Sequence, residues 1–381
     1  MHKHILFVLD YYLPHRWWSE TVFENIISRL LKSWYHISIL TSHFDPKLKT
    51  KETDQNLTIY RTWKSRFRFM FSAFFVGIKI LKQNSNPAKN GTCISAIHTS
   101  TYGWAIPASL LWVFFRKKVI LTVHEIFYKL RNFYKWNFFW RFYRLFERII
   151  FRLPYDIYHC VSYYTMNCVR ICYGISDNKL QMIHNGIDSD FWNSDKISSD
   201  QINSFRLKHW RENKFVVLYF WHAGKSKGID YLIQSVPEIL KHDKDILFVF
   251  NFINSHRKEQ IKSEINSLHI DHSRIQLFDW FEKENLREFI ASVDLIVAPS
   301  ISEWFWSVHT EVVSIGKPLL TTNIASIPEV IFGNVKMIPP RSTQKIIESI
   351  LNRSRINNPE YIIPVKTFSR DRTVEELKKL Y

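Results

Sequence analysis

Glycine is nearly missing from this chain. There are 9 glycines among 381 residues, against roughly 27 at an ordinary usage near 7%, while tryptophan reaches 14. A folded chain needs glycine where its backbone turns left-handed or lies against a ligand, and there tryptophan is the least suitable substitute. Cysteine is sparse as well. Cys93, Cys160, Cys168 and Cys172 show no paired metal-ligand spacing and read as free thiols in a reducing compartment, with no metal expected. There is no internal repeat and no low-complexity tract. The opening "MHKHILFVLDYYLPH", closed by Pro14, reads as a buried first strand and not as a signal peptide. No apolar run approaches the roughly 18 residues that suggest a transmembrane helix. Acidic residues are outnumbered 35 to 52 by lysine and arginine, a net charge of +17, which calls for an anionic partner. The basic residues are spread over the chain and form no recognition module, so nucleic acid is not expected as that partner.

What is present is an alternation of short apolar runs with amphipathic segments, the α/β signature. Strand-like runs lie at 4–10, 36–42, 117–123, 156–162 and 180–185. After a polar join at 188–204 the rhythm resumes with runs at 214–220, 245–253, 275–281 and 294–300, separated by helical stretches such as 229–241 and 256–267. Two such blocks predict two Rossmann-like, doubly wound domains facing a central cleft. The expected borders are 1–188, 189–366 and a final helix, 367–381, packing back on the first domain. Ligands of doubly wound sheets sit beyond the carboxyl ends of the strands, so the residues just after each run matter most.

Three strand ends carry chemistry. After 214–220 comes "WHAGKSKGIDYLI" (221–233), a basic loop of small residues opening into a helix. Free amides at a helix start, with Lys225 and Lys227 nearby, suit a phosphate. The spacing is not that of a Walker loop. After 294–300 comes "SEWFWSVHTE" (302–311), with Glu303 before a helix and Glu311 expected two turns along it. After 4–10 come a loop and a helix leading to the second strand; apart from these three, His124 stands at the end of 117–123. Taken singly, the glutamates read as a solvated helix face, the lysines as surface charge and the histidine as structural.

Taken together with "HNGID" (184–188), these segments resemble the family 4 retaining glycosyltransferases, which have the two-domain GT-B fold. The resemblance covers nearly the whole chain. "FWHAGKSKGIDYLI" is similar to the family's donor-phosphate loop. "APSISEWFWSVHTEVVSIGKPLLTTNIASIPEVI" is similar to its diagnostic segment, in which a glutamate precedes glycine, phenylalanine, glycine, four further residues and a second glutamate. The resemblance implies a nucleotide-diphosphate sugar donor, no cofactor and no metal. It assigns Glu303 to the hydroxyls of the donor sugar, Glu311 to the ribose and Lys227 to the leaving diphosphate. The amides around Phe305, Trp306, Ser307 and Val308 would receive the phosphates. Trp18 falls in the glycine-rich loop of the first domain, and His124 matches the active-site histidine near the transferred sugar. His222 stands where the family commonly has arginine, which weakens the paired cationic grip or makes it pH-dependent. Attack from the front face, with the donor phosphate assisting deprotonation, is the expected route, so no protein nucleophile is named.

The resemblance also explains the missing glycines. Trp17, Trp18, Trp34, Trp221, Trp304 and Trp306 fall where the family pattern has glycine, and Trp104 and Trp280 are further candidates, whereas Trp192 reads as a genuine tryptophan. The hypothesis is that the source reads UGA as glycine and the translation wrote tryptophan. A decayed enzyme is the other reading: the protein would then be a catalytically dead, membrane-associated GT-B scaffold. Aromatic, basic segments at 64–82 and 128–154, with Arg141, Arg144 and Arg148 at helical spacing, point to an anionic membrane surface. Packing of their aromatics into the domain core is the alternative. A glycan or lipid-linked acceptor follows, with a cytoplasmic location at the inner face of a membrane.

Overall fold

The computed structural model describes residues 3–15, 18–63, 66–85, 92–101, 103–126, 137–209, 214–252, 257–278, 283–303, 307–352 and 362–381. The chain divides into two units, Met1–Gly186 with Ser369–Tyr381, and Ile187–Phe368. The second unit is therefore two residues longer at each end than the 189–366 stretch expected. Gly186 shows why the crossing falls where it does. A β-carbon there would lie 2.3 Å from the backbone nitrogen of Arg370, so the outgoing and returning strands of chain can touch only at glycine.

In the first unit β1 (His4–Val8), β2 (His36–Ser42), β3 (Lys51–Asp54), β4 (Leu57–Thr62), β5 (Ile94–Ser100), β6 (Lys118–Val123), β7 (Ile157–Cys160) and β8 (Leu180–Met182) form one sheet. Its order is β3-β4-β2-β1-β5-β6-β7-β8. All pairings are parallel except β3 with β4, an antiparallel hairpin at the edge. The strand order reverses between β1 and β5. The final helix, Arg370–Lys378, belongs to this unit. Val374, Leu377, Leu380 and Tyr381 join Phe23, Ile26, Ile27 and Leu30 of the Trp18–Lys32 helix in one buried cluster over β1 and β2.

In the second unit β9 (Phe215–Trp221), β10 (Ile246–Phe252), β11 (Ile275–Phe278), β12 (Leu295–Ala298), β13 (Leu319–Thr322), β14 (Gly333–Ile338) and β15 (Ile362–Ile363) follow the order β11-β10-β9-β12-β13-β14-β15. Only β14 with β15 is antiparallel. β10 and β12 are buried along their whole length, as parallel strands covered on both faces must be, and their sequences are correspondingly near-continuous apolar runs. Here the order reverses between β9 and β12. Ligands of doubly wound sheets bind at the carboxyl ends of the strands beside such a reversal.

Candidate functional site

The loops after β9 and β12 are stitched together at that reversal. The amides of Ile301 and Ser302 donate to the carbonyl of Ser226 at 2.8 and 3.3 Å. Gly228 packs so closely on the other loop that a β-carbon would sit 1.9 Å from the Pro299 carbonyl oxygen, and its φ is +67°. The Lys225–Lys227 turn ends there, and the Ile229–His242 helix begins.

This contact brings Lys227 and Glu303 together, 76 residues apart in sequence. The Lys227 ammonium donates to both carboxylate oxygens of Glu303, at 2.8 and 2.9 Å, and the two side chains are only 8% and 2% exposed. Ser300 Oγ donates to Glu303 Oε1 at 2.7 Å. The Glu303 carbonyl accepts from the amide and hydroxyl of Ser326, at 3.3 and 3.1 Å. Backbone and side chain of Glu303 are thus both fixed. Removing two such charges from water is costly, and a chain that does so with every oxygen held has a preorganised pair of opposite charges. Beside the loop, Arg257 donates to Asp230 at 2.7 Å and to the Ala223 carbonyl at 3.3 Å. His222 is partly buried, and its carbonyl accepts from the Tyr219 hydroxyl at 2.8 Å.

Glu311 lies in the Ser307–Ser314 helix. It is four residues after Ser307, the first described residue of that helix. Its side chain and that of Val308 are partly buried. Trp304, Phe305 and Trp306, like Trp17 and Trp280, lie outside the described residues, and for Trp18 and Ser307 the description is limited to the backbone, each being the first residue of its helix.

His309 is not among the residues that the sequence motifs single out. Its imidazole is fully buried, 5.6 Å from the Trp221 ring centre to centre, and neither ring nitrogen has a hydrogen-bond partner among the described residues. Burial lowers its pKa to about 4; Lys227 pushes the same way and Glu303 opposes. The Trp221 indole N–H, at the end of β9, is likewise buried without a partner among the described residues. The signal available for His309 was its position three and four residues before Val312 and Val313, on the buried face of the helix.

In the first unit His124 follows β6 directly and is 4% exposed. Its ring meets Phe23 edge-on at 5.8 Å, and burial with the nearby His159 lowers its pKa to about 3. His98, in β5, has a structural role. Its ring lies in a buried chain running from Tyr381 Oη (2.6 Å) through His98 to Thr122 Oγ1 (2.6 Å), then His159 Nδ1 (2.9 Å), and from His159 Nε2 to the Ile183 carbonyl (2.9 Å). The carbonyl can only accept, so His159 donates from Nε2, Thr122 donates to His159, His98 donates to Thr122 and Tyr381 donates to His98. Every member is satisfied with both imidazoles neutral.

Among the described residues no group of histidine, cysteine, aspartate or glutamate side chains is arranged to hold a metal, and no helix is long and apolar enough to cross a membrane.

Comparison with known proteins gives a match for each half of the chain. The Glycosyltransferase Family 4 description fits residues 19–191 and Glycosyl transferases group 1 fits residues 200–359. An uncharacterized 41.2 kDa protein of the Klebsiella pneumoniae cps region is 27% identical over 68% of this chain and 66% of its own length. One component of the human phosphatidylinositol N-acetylglucosaminyltransferase is 24% identical over 58% of this chain and 45% of its own length. The chain thus spans about half to two thirds of these two relatives. In structure it is similar to Anabaena HepE, solved in complex with UDP-glucose, with a TM-score of 0.73 at 14% identity over 99% of both chains. The fold is GT-B.

Proposed function

We propose that this chain, which belongs to the family 4 and group 1 glycosyltransferases by the matches to its two halves, moves a sugar with retention from a nucleoside-diphosphate sugar to a glycan or lipid-linked acceptor. The observation that carries the donor side is the buried Lys227–Glu303 pair at the reversal between β9 and β12. A leaving diphosphate needs a cation that does not have to reorganise, and a sugar needs fixed acceptors for its hydroxyls. Lys227 supplies the first and Glu303 the second. Glu311 takes the ribose, His222 adds a second polar grip on phosphate, and the helix start at Ser307 directs amides toward it. Within the first unit, His124, directly after β6, is the candidate catalytic residue. That the Anabaena neighbour holds UDP-glucose supports a donor of this class.

The same reading takes positions 17, 18, 34, 221, 304 and 306 as glycine in the functional protein, read from UGA. Trp34 supports it independently of any motif. Its φ is +63°, and it ends the Trp18–Lys32 helix with its amide on the Leu31 carbonyl and the Tyr35 amide on the Leu30 carbonyl, at 3.0 and 3.1 Å. That is the Schellman arrangement, with Trp34 at the left-handed position that glycine usually fills.

For the acceptor side, the Asn137–Arg152 helix turns Glu147, Ile150 and Phe151 inward while Phe142, Leu145 and Ile149 form an exposed stripe beside Arg141, Arg148 and Arg152. A second apolar surface joins Phe71 and Phe75 to Phe114, through Phe74. Exposed apolar side chains flanked by arginine suit the headgroup region of an anionic bilayer, where a lipid-linked acceptor would be met.

The test is turnover of sugar nucleotides by the glycine-restored protein and two variants. Glu311→Ala should weaken nucleotide binding by about 1.5–3 kcal/mol, the loss of charge-assisted hydrogen bonds. Glu303→Ala should reduce turnover far more than it weakens binding of the bare nucleotide. Unchanged nucleotide affinity in Glu311→Ala removes that residue from the site, and full turnover in Glu303→Ala removes the other.

A further inference from the structure

Three buried polar atoms sit on two neighbouring rings of the second unit. Both ring nitrogens of His309 and the indole nitrogen of Trp221 lack hydrogen-bond partners among the described residues, and the rings face each other at 5.6 Å with an interplanar angle of 55°. Buried polar groups in folded proteins are satisfied by protein, water or ligand, and a cluster of orphans asks what is meant to fill the place. An indole does not answer, since its N–H can only donate and here donates to nothing described.

We propose that His309 is a specificity-determining residue of the donor site: with glycine at position 221, its imidazole faces the space now filled by the Trp221 indole and hydrogen-bonds a hydroxyl of the donor sugar. The inference rests on the donor reading above and adds a residue to it. Removing the indole leaves a space at the carboxyl end of β9, bordered by His309 and adjoining the loop that holds Lys227 and Glu303. Those two are near enough for their charges to act on the His309 proton equilibrium in opposite directions. Burial keeps the ring neutral, so it offers one donor and one acceptor. A phosphate oxygen can use only the donor, whereas a hydroxyl uses both. Charge for the diphosphate is already supplied by Lys227. The group left for His309 is therefore one that both gives and receives a hydrogen bond, and on a nucleotide sugar beside Glu303 that is a sugar hydroxyl.

The experiment uses the glycine-restored full chain and four probes: UDP-glucose, GDP-mannose, bare UDP and bare GDP. His309→Leu, apolar and of similar size, should weaken binding of the favoured sugar nucleotide roughly tenfold, a single lost hydrogen bond, while leaving the matching bare nucleotide unchanged. His309→Gln should recover most of the loss. In the unsubstituted ring, nitrogen chemical shifts of 15N-labelled His309 should move on adding the sugar nucleotide and stay still with the bare one, a readout that does not depend on how the variants fold. Equal effects of His309→Leu on both ligands, or ring shifts that ignore the sugar, overturn the assignment and leave His309 a packing residue while the donor reading stands. A glycine-restored parent that binds none of the four probes overturns the donor reading and this assignment with it.

Discussion

Trp34 shows how much a single backbone angle can say. A left-handed residue with a side chain costs about 1–2 kcal/mol relative to the ordinary helical conformation, and glycine avoids that cost. Trp34 is 69% exposed, so its indole gains little burial in return. Trp34→Gly in the chain with all its tryptophans should therefore raise stability by about 1 kcal/mol in denaturant titration. A loss of stability would mean the indole has a packing role, and would remove the motif-independent support for glycine at this position. The buried histidines give a second expectation at this scale. His4, His159 and His309 have pKa values lowered to about 4 from 6.5, and His124 to about 3, mainly by burial. The unfolded chain then binds more protons than the folded one between about pH 6.5 and 4, so stability rises with pH there and is lost as pH falls through that window. Each histidine lowered to about 4 can account for on the order of 3 kcal/mol across it. Thermal melts should show midpoints nearly flat above pH 7 and falling steeply below pH 6. His159→Gln should flatten the fall, since Gln can still donate to the Ile183 carbonyl without gaining a proton; an unchanged slope would contradict the neutral hydrogen-bonded chain.

Among the elements, the strands that carry an apolar run were legible and the short or polar ones were not. Runs such as "KFVVLYF" and "DILFVFNFI" announce themselves because parallel strands buried on both faces carry little but apolar residues. β3 and β4 have no such run: β3 is "KETD", mostly exposed. β13 is four residues, "LLTT", too short for periodicity to show. β5, "ISAIHTS", is central yet half polar, because it carries His98 and its hydrogen-bonded neighbours. The strand run at 294–300 overreached, since β12 stops at Ala298, where the chain leaves the sheet for a loop; of the run at 275–281 the described residues 275–278 form β11. The Asn137–Arg152 helix shows a different difficulty. Its sequence left core packing and membrane contact open, and the helix has an apolar stripe on each side, one buried and one exposed. Sedimentation with anionic liposomes should therefore carry the protein down at low salt and release it as salt screens the attraction. Replacing Phe142, Leu145 and Ile149 by serine should abolish sedimentation without changing the melting temperature by more than a few degrees, whereas a large destabilisation would show that the stripe belongs to a core.

For the whole molecule, the division of labour follows from connectivity. The second unit leaves and rejoins the first at adjacent points, where the Ile187 amide donates to the Phe368 carbonyl at 2.8 Å. Residues 187–368, glycine-restored, contain Lys227, Glu303 and Glu311 and have their own core, so they should fold alone and bind nucleoside diphosphate; a fragment that stays unfolded would show that the first unit is needed to hold the site. The first unit needs its last helix. Removing residues 370–381 would strip Tyr381 from His98 and uncover Phe23, Ile26, Ile27 and Leu30.

Motif spacing named Lys227, Glu303 and Glu311 from the sequence. It could not reveal that Lys227 and Glu303 hold each other, a contact made by two loops from neighbouring strands far apart in the chain. Nor could it reveal Ser300 or Ser326, since a serine carries no periodic signature. The measurement that reaches furthest is calorimetric titration of UDP, GDP and ADP into the full chain with glycine at 17, 18, 34, 221, 304 and 306, beside the chain with tryptophan at all six. Tight, saturable binding of one nucleoside diphosphate to the first and none to the second is the expected result; equal binding by both, or no binding by the glycine chain, would contradict it.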